Sequence, residues 1–198
     1  MSELDICNGA LILIGAEPIS SLDEENDKAR ACRVLYPSSR DELLRMHPWN
    51  FAKKRVALVE LATTPLSEYD HQYQLPVDCL RVLENDSEYR DWKIEGRALL
   101  TDSTEVIISY ISRIEDPNAF DVLFTEALEH RLGSKLAIPI RNSPETASAL
   151  KNEFFHLLME ARIANAHEGT MAQVWDDDIT RRRISNFTSQ GIPWYEGG

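Results

Sequence analysis

The chain has 198 residues, 43% of them hydrophobic and 27% charged, which is the composition of a globular protein with a core of ordinary size. Its 33 acidic and 21 basic side chains give a formal net charge of −12. This balance argues against a protein that wraps nucleic acid, because phosphate binding needs a surplus of Lys and Arg. The longest apolar run, residues 10–14, is far shorter than the roughly 20 residues of a membrane span, so no membrane partner is expected.

The first two predicted elements are helices. Ser2 is a suitable N-cap and Gly15 a suitable C′ residue for the first, and its apolar stripe recurs at helical spacing at Leu4, Cys7, Leu11 and Ile14. A second helical stretch runs from about residue 26 to residue 46, before Pro48. Pro37 lies inside this stretch and predicts a kink or a split, with a second piece starting near residues 38–39.

From Trp49 to about residue 114 the apolar residues alternate with a period of two, which is typical of β-strands. The pair Glu95-Gly96 resembles a tight hairpin turn, and residues 106–111 form the strand with the richest β-branched composition. We expect a small antiparallel sheet or partial barrel here. Helix returns at residues 120–136, up to Pro139, and the triplet Ser143-Pro144-Glu145 predicts the start of a last helix that ends near residue 169.

The last thirty residues lose periodicity but keep aromatic side chains, which a disordered tail usually lacks. Three aspartates at 176–178 and three arginines at 181–183 suit either a solvated mixed-charge stretch or an interface.

The predicted fold class is therefore α+β: a four-helix-type bundle with an inserted small antiparallel β module and an extended C-terminal arm. We assign the bundle to residues 1–47 and 117–168, the β module to residues 48–116, and the arm to residues 169–198. The charge is concentrated in the middle third, since residues 60–128 hold 15 acidic and 5 basic side chains, a net of −10.

The sequence predicts no catalytic residue, no cofactor and no metal site. The three cysteines, Cys7, Cys32 and Cys79, lack Cys-x-x-Cys spacing and are expected to be buried free thiols. No His-Glu-x-x-His motif, Gly-rich phosphate loop or Gly-x-Ser-x-Gly elbow occurs in the sequence. A carboxylate pair in the β module would be compatible with a glycan hydrolase, which is one alternative function.

Several short strings follow one another in a specific order. They are His47-Pro48-Trp49-Asn50-Phe51-Ala52, then Tyr73-x-Leu75-Pro76-x-Asp78-x-Leu80-Arg81-Val82, then Trp92-x-Ile94-Glu95-Gly96-Arg97, and a strand ending at Tyr110-Ile111. In this order, residues 4–168 resemble the tail tubular protein A family of short-tailed bacteriophages, the head-to-tail adaptors. The positions that carry the motif, with an expected structural role, are Trp49, Phe51, Leu75, Pro76, Asp78, Arg81, Trp92, Gly96 and Tyr110.

The resemblance implies a structural protein without catalysis, located in the virion tail at the head-tail junction and assembled in the host cytoplasm. Such adaptors form a ring of twelve copies that binds the portal protein above and the tail nozzle protein below, with tail fibres as a further candidate partner. DNA passes through the lumen without specific binding. Our hypothesis for the portal or subunit interface is a set of arm residues: Trp175, Arg181, Arg182, Arg183, Phe187, Trp194 and Tyr195.

Two questions stay open at the level of sequence. The acidity of the β module either repels DNA from the lumen or keeps the free chain soluble. A further alternative to the short-tailed adaptor is an adaptor of a long-tailed phage that joins the portal to a stopper protein.

Overall fold

The structure, a computed structural model, describes residues 1–63, 65, 68–86 and 91–168. These residues form four helices and six strands. The helices are α1 (Glu3–Leu13), α2 (Asp27–Met46), α3 (Val122–Arg141) and α4 (Pro144–His167). The strands are β1 (Lys53–Ala57), β2 (His71–Gln74), β3 (Cys79–Asn85), β4 (Lys93–Glu95), β5 (Ala98–Thr101) and β6 (Ile107–Ser112). The predicted α+β class is confirmed, and the predicted arm lies outside the described residues.

Helix α1 begins with a capping box at Ser2. The Ser2 hydroxyl accepts a hydrogen bond from the Asp5 amide at 3.2 Å, and the Asp5 carboxylate accepts one from the Ser2 amide at 2.7 Å. These bonds satisfy amides that have no partner within the first turn. The chain leaves the helix through Gly15, whose φ of 69° is a left-handed conformation that glycine adopts at low cost. The predicted first helix is confirmed.

Helix α2 runs without interruption from Asp27 to Met46, so the predicted split at Pro37 is wrong. Pro37 lies on the exposed face, where water can bind the carbonyl oxygen that the missing amide leaves free. On the opposite face, Cys32, Tyr36 and Leu43 are fully buried on both sides of the proline. Their packing keeps the two halves in one helix against a cost of about 3 kcal/mol for an interior proline.

Helices α3 and α4 meet at Asn142. Helix α3 continues past Pro139 to Arg141. Pro139 stands in the exposed last turn of the helix. Asn142 then takes a φ of 50°. The Ser143 hydroxyl accepts a hydrogen bond from the Thr146 amide at 3.3 Å, and Pro144 is the first residue of α4, which confirms the predicted helix start.

The strands form two three-stranded antiparallel sheets rather than one small sheet or a partial barrel. Their orders are β1-β6-β3 and β2-β5-β4. The predicted hairpin is confirmed: Glu95 lies opposite Ala98, and Gly96 supplies a φ of 57° at the turn. The expectation that extended structure begins at Trp49 is wrong, because residues Asn50–Ala52 form a 3₁₀ turn and the first strand begins at Lys53.

The first sheet lies between the helices and the second sheet. Along β6, Ile111 is buried in the core formed by the helices, while Ile108 and Tyr110 are buried in a second core with Leu99 of β5. Successive side chains of a strand point to opposite faces, so one strand contributes to both cores. No helix in the described ranges is long and apolar enough to cross a lipid bilayer.

Helix α3 packs against the other three helices. Two of them pack closely at Gly133, since a Cβ atom there would lie 3.1 Å from Leu150 Cδ1 of α4 and 3.4 Å from the Ala10 carbonyl oxygen of α1. Helices α1 and α4 therefore both contact α3 at this glycine.

Candidate functional site

A cluster of aromatic rings joins the helices to the start of the β module. Trp49 is buried and meets the Phe124 ring edge-on, with 5.1 Å between centroids. The ring centroid of Phe51 lies 5.1 Å from that of Phe124 and 6.0 Å from that of Phe120. The Trp49 indole donates a hydrogen bond to the Leu43 carbonyl oxygen of α2 at 2.9 Å. The motif residues Trp49 and Phe51 thus hold α2 and α3 against the segment that leads into β1.

The Leu-Pro string of the motif forms the turn between the two sheets. The Leu75 amide donates to the carbonyl oxygen of Arg97 at 3.0 Å. The Arg97 guanidinium in turn donates to the carbonyl oxygen of Pro76 and, at 3.5 Å, to that of Cys79. Arg97 belongs to the β4–β5 hairpin, so one arginine of the second sheet holds the turn that enters the first sheet.

Asp78 connects this turn to the other two strands of the first sheet, β6 and β1. Its Oδ1 accepts a hydrogen bond from the Tyr110 hydroxyl of β6 at 3.1 Å, and its Oδ2 accepts one from Lys54 Nζ of β1 at 2.9 Å. Burial alone would raise the pKa of Asp78, but the bond and charge of Lys54 and the bond from Tyr110 outweigh it and lower that pKa. Burial, together with the Asp78 charge, raises the pKa of Tyr110 to about 12. At neutral pH Asp78 is therefore a charged acceptor and Tyr110 a protonated donor.

The remaining motif residues occupy separate places. Arg81 lies on β3 and is half-buried, and its Nε atom is buried without a hydrogen-bond partner in the described part of the chain. Trp92 is half-buried and packs against the second core, and Gly96 forms the β4–β5 turn. The structure thus brings Leu75, Pro76, Asp78 and Tyr110 together, and places the other motif residues at further junctions.

Two ion-pair groups that the sequence analysis did not identify connect distant elements. The Glu42 carboxylate of α2 binds the Arg131 guanidinium at 2.5 Å and Lys135 Nζ at 2.8 Å, both on α3. Asp41, its neighbour, binds Arg113 Nε at 2.8 Å, beyond β6. The partners are separated by more than seventy positions, and no local spacing in the sequence indicates them.

Hydrogen bonds join the end of α4 to the residues after α2. The Asn165 side chain accepts a hydrogen bond from the Asn50 amide at 2.9 Å and lies 3.1 Å from His47 Nε2. Burial, followed by the nearby positive charges of Arg162 and Lys53, lowers the pKa of His47 to about 4. The imidazole is therefore neutral at neutral pH, and its Nε2 can accept a hydrogen bond from the Asn165 amide.

Comparison with known families decides the relationship of this chain. A family model described as "Tail tubular protein" matches residues 4–110, which is more than half of the chain. The chain belongs to the tail tubular protein family. Its members are structural components of bacteriophage tails, and this chain is accordingly a tail component of a virion. No curated protein matches the chain. The match ends on β6, so it covers α1, α2 and the motif junctions but not α3 and α4.

The β module of this tail tubular family member, residues 48–116, holds 13 acidic and 8 basic side chains, a net of −5. Lys93 binds Glu95 at 2.9 Å and Glu68 at 3.7 Å, and Arg113 is bound to Asp41 on α2. Some exposed carboxylates form no ion pair in the described ranges of the module: Glu84, Asp91, Asp102 and Glu105.

The glycan hydrolase alternative can be compared with the carboxyl groups of the described residues. A cavity of about 340 Å³ on the β module is lined by Glu60, Leu61, Ala62, Thr63 and Asp70. The Glu60 carboxylate there binds His71 Nδ1 at 2.6 Å. A glycoside hydrolase needs a general acid with a raised pKa. In the described ranges, burial raises the pKa of Glu3 and Glu129, which lie on α1 and α3.

The described ranges hold no cluster of three or more potential metal ligands. All three cysteines are buried free thiols, and this prediction is confirmed. The arm residues of the interface hypothesis lie outside the described residues, so that hypothesis stays a prediction: Trp175, Arg181, Arg182, Arg183, Phe187, Trp194 and Tyr195.

Proposed function

We propose that this chain is the head-to-tail adaptor of a bacteriophage, and that twelve copies form a ring that joins the portal to the tail nozzle. The observation that carries the proposal is the tail tubular family match over residues 4–110. The matched region contains Trp49 and Phe51 of the aromatic cluster and the Asp78 junction, which hold helices and sheets in one fixed arrangement. A subunit with elements joined in this way suits a ring that connects two parts of a particle.

The predicted division of the chain assigns a role to each part. The helical bundle, residues 1–47 and 117–168, packs against neighbouring copies. The β module, residues 48–116, projects toward the tail. The arm, residues 169–198, carries aromatic and arginine side chains that contact the portal or the next subunit in the assembled particle.

The exposed carboxylates of the β module line the lumen and keep DNA from adhering to it. The support for this role is that Glu84, Asp91, Asp102 and Glu105 are exposed and form no ion pair among the described residues. Like charges repel phosphate across a narrow channel even where salt screens them over about 8 Å.

The test of the adaptor role is to mix the purified full chain with the isolated portal ring and image the mixture by electron microscopy. We expect a collar of extra density at the narrow end of the portal. A variant lacking residues 170–198 should remain folded, because the described cores end before them, and should lose portal binding. Undiminished binding of this variant would refute the arm assignment. No binding by the full chain, together with hydrolysis of a polysaccharide, would refute the adaptor role.

The test of the lumen role is charge reversal in assembled particles. Glu84→Lys with Glu105→Lys should leave particle assembly intact and slow DNA ejection, whereas Glu25→Lys with Glu126→Lys, two exposed positions outside the β module, should leave ejection unchanged. A loss of solubility of the free chain with normal ejection would support the alternative role of the acidity.

A further inference from the structure

Helix α4 has two apolar faces. Phe154, Leu158 and Ala161 face the bundle, and their exposure is 6% or less. On the other side Phe155, Met159 and Ile163 are 47%, 55% and 55% exposed. These three residues are spaced by four positions, so they form one continuous stripe, which we call the outer face of α4. The bundle does not need this stripe for its own core.

The outer face is bordered by opposite charges. At about 100° of rotation per residue, Lys151 and Arg162 lie along one edge of the stripe, and Glu153 and Glu160 lie along the other. All four side chains are exposed, and none takes part in an ion pair within the described part of the chain. An apolar stripe with a basic and an acidic border is suited to a segment that carries aromatic side chains and both signs of charge.

The residues that follow α4 have this composition. Residues 169–198 carry four aromatic side chains, and Trp175 is the first of them. Three aspartates at 176–178 match the basic edge, and three arginines at 181–183 match the acidic edge. No other part of the sequence has a run of three aspartates near a run of three arginines.

The segment also starts in the right place. It leaves α4 directly after Glu168. From there to Phe155 is thirteen residues of helix, a rise of about 20 Å. The seven residues 169–175 span up to about 23 Å when extended. A chain that reverses direction after α4 can therefore place Trp175 anywhere along the stripe.

We propose that, in the unassembled chain, the outer face of α4 is covered by residues 169–198 of the same chain, with Trp175 as the first anchor. The contact removes exposed apolar surface from both the helix and the segment, which otherwise invites aggregation of a free subunit. It goes beyond the proposed function, because it describes the chain before it meets the portal.

The direct test is a photo-crosslinking side chain, p-benzoylphenylalanine, placed at Met159 of the full chain at low concentration. We expect crosslinks to peptides from residues 169–198 in a product with the mass of one chain. The matched control carries the same group at Val34, a 68% exposed residue of α2, and should not crosslink to this segment. Crosslinks to a second copy, crosslinks to another part of the chain, or equal crosslinking from Val34 would overturn the proposal.

A second test uses trypsin, which cleaves after the arginines at 181–183. Met159→Glu and Ile163→Glu should accelerate this cleavage by about tenfold or more, because burial of one apolar side chain contributes at least that factor. Both residues are exposed on the folded helix, so the variants should keep the circular dichroism spectrum of the unmodified chain. Val34→Glu should be cleaved at the unmodified rate. Equal cleavage rates in all four chains would overturn the proposal.

Portal imaging separates this inference from the proposed function. A chain that binds the portal without the crosslink refutes only the docking on α4. A chain that gives the crosslink but does not bind the portal refutes only the adaptor role.

Discussion

Replacement of Tyr110 by Phe removes one hydroxyl group and tests the junction at Asp78. Tyr110 is 4% exposed, and its hydroxyl donates to Asp78 Oδ1 at 3.1 Å. A hydrogen bond to a charged acceptor contributes about 1.5–3 kcal/mol. The Asp78 side chain is 36% exposed and keeps Lys54 as a partner. We therefore expect a loss of about 1.5 kcal/mol in the free energy of unfolding, the lower end of that range.

Tyr36→Phe is the matched control for this change. Tyr36 is also fully buried, but its hydroxyl has no hydrogen-bond partner in the part of the chain that the structure describes. Removal of an unpaired buried hydroxyl costs nothing and relieves a desolvation penalty of about 1 kcal/mol or more. Tyr36→Phe should therefore be neutral or stabilising. The same chemical change is thus expected to have opposite effects at two buried tyrosines.

The assay is urea unfolding of the full chain. The slope of the unfolding free energy against urea concentration should be the same for all variants. The pKa of Asp78 is lowered in the folded state, so its stabilisation is present above the unfolded pKa of about 3.9 and is lost as the pH falls through the folded pKa. The penalty of Tyr110→Phe should accordingly be full at about pH 7 and shrink below about pH 4. An equal penalty for both substitutions, or a Tyr110→Phe penalty that does not change with pH, would refute this reasoning.

Three further predictions concern the helices. Asn165→Ala should destabilise the chain by about 1–2 kcal/mol in urea unfolding, because the Asn50 amide loses its acceptor, whereas the exposed Asn152→Ala should be neutral or slightly stabilising. Gly133→Ala should cost about 1–3 kcal/mol in thermal unfolding, because its Cβ meets packed neighbours. Gly9→Ala, where the Cβ meets only the movable end of a glutamate side chain, should be tolerated. NMR titration should find a His47 pKa of about 4, and stability should fall as the pH drops from about 6.5 toward that value; a pKa near 6.5 would contradict the burial of this imidazole.

The sequence alone predicted those features that depend on neighbouring residues. The capping residue Ser2, the helix start at Ser143-Pro144 and the hairpin at Glu95-Gly96 were confirmed, because caps and tight turns are determined by hydrogen bonds and φ angles within a few positions. The order of the motif strings was also sufficient to predict the family of the chain.

Only the tertiary structure decided which distant groups meet. Pro37 predicted a kink or a split of α2, but the helix is not split, because burial on the opposite helix face outweighed the local preference. The separation of the strands into two sheets depends on pairings between β1 and β6, whose partners run from Ala57 with Ile107 to Lys53 with Ile111. The bonds from Asp78 to Tyr110 and Lys54 likewise join residues 32 and 24 positions apart. Such contacts depend on chain closure and shared burial, and periodicity along a single chain does not encode which partners burial will bring together.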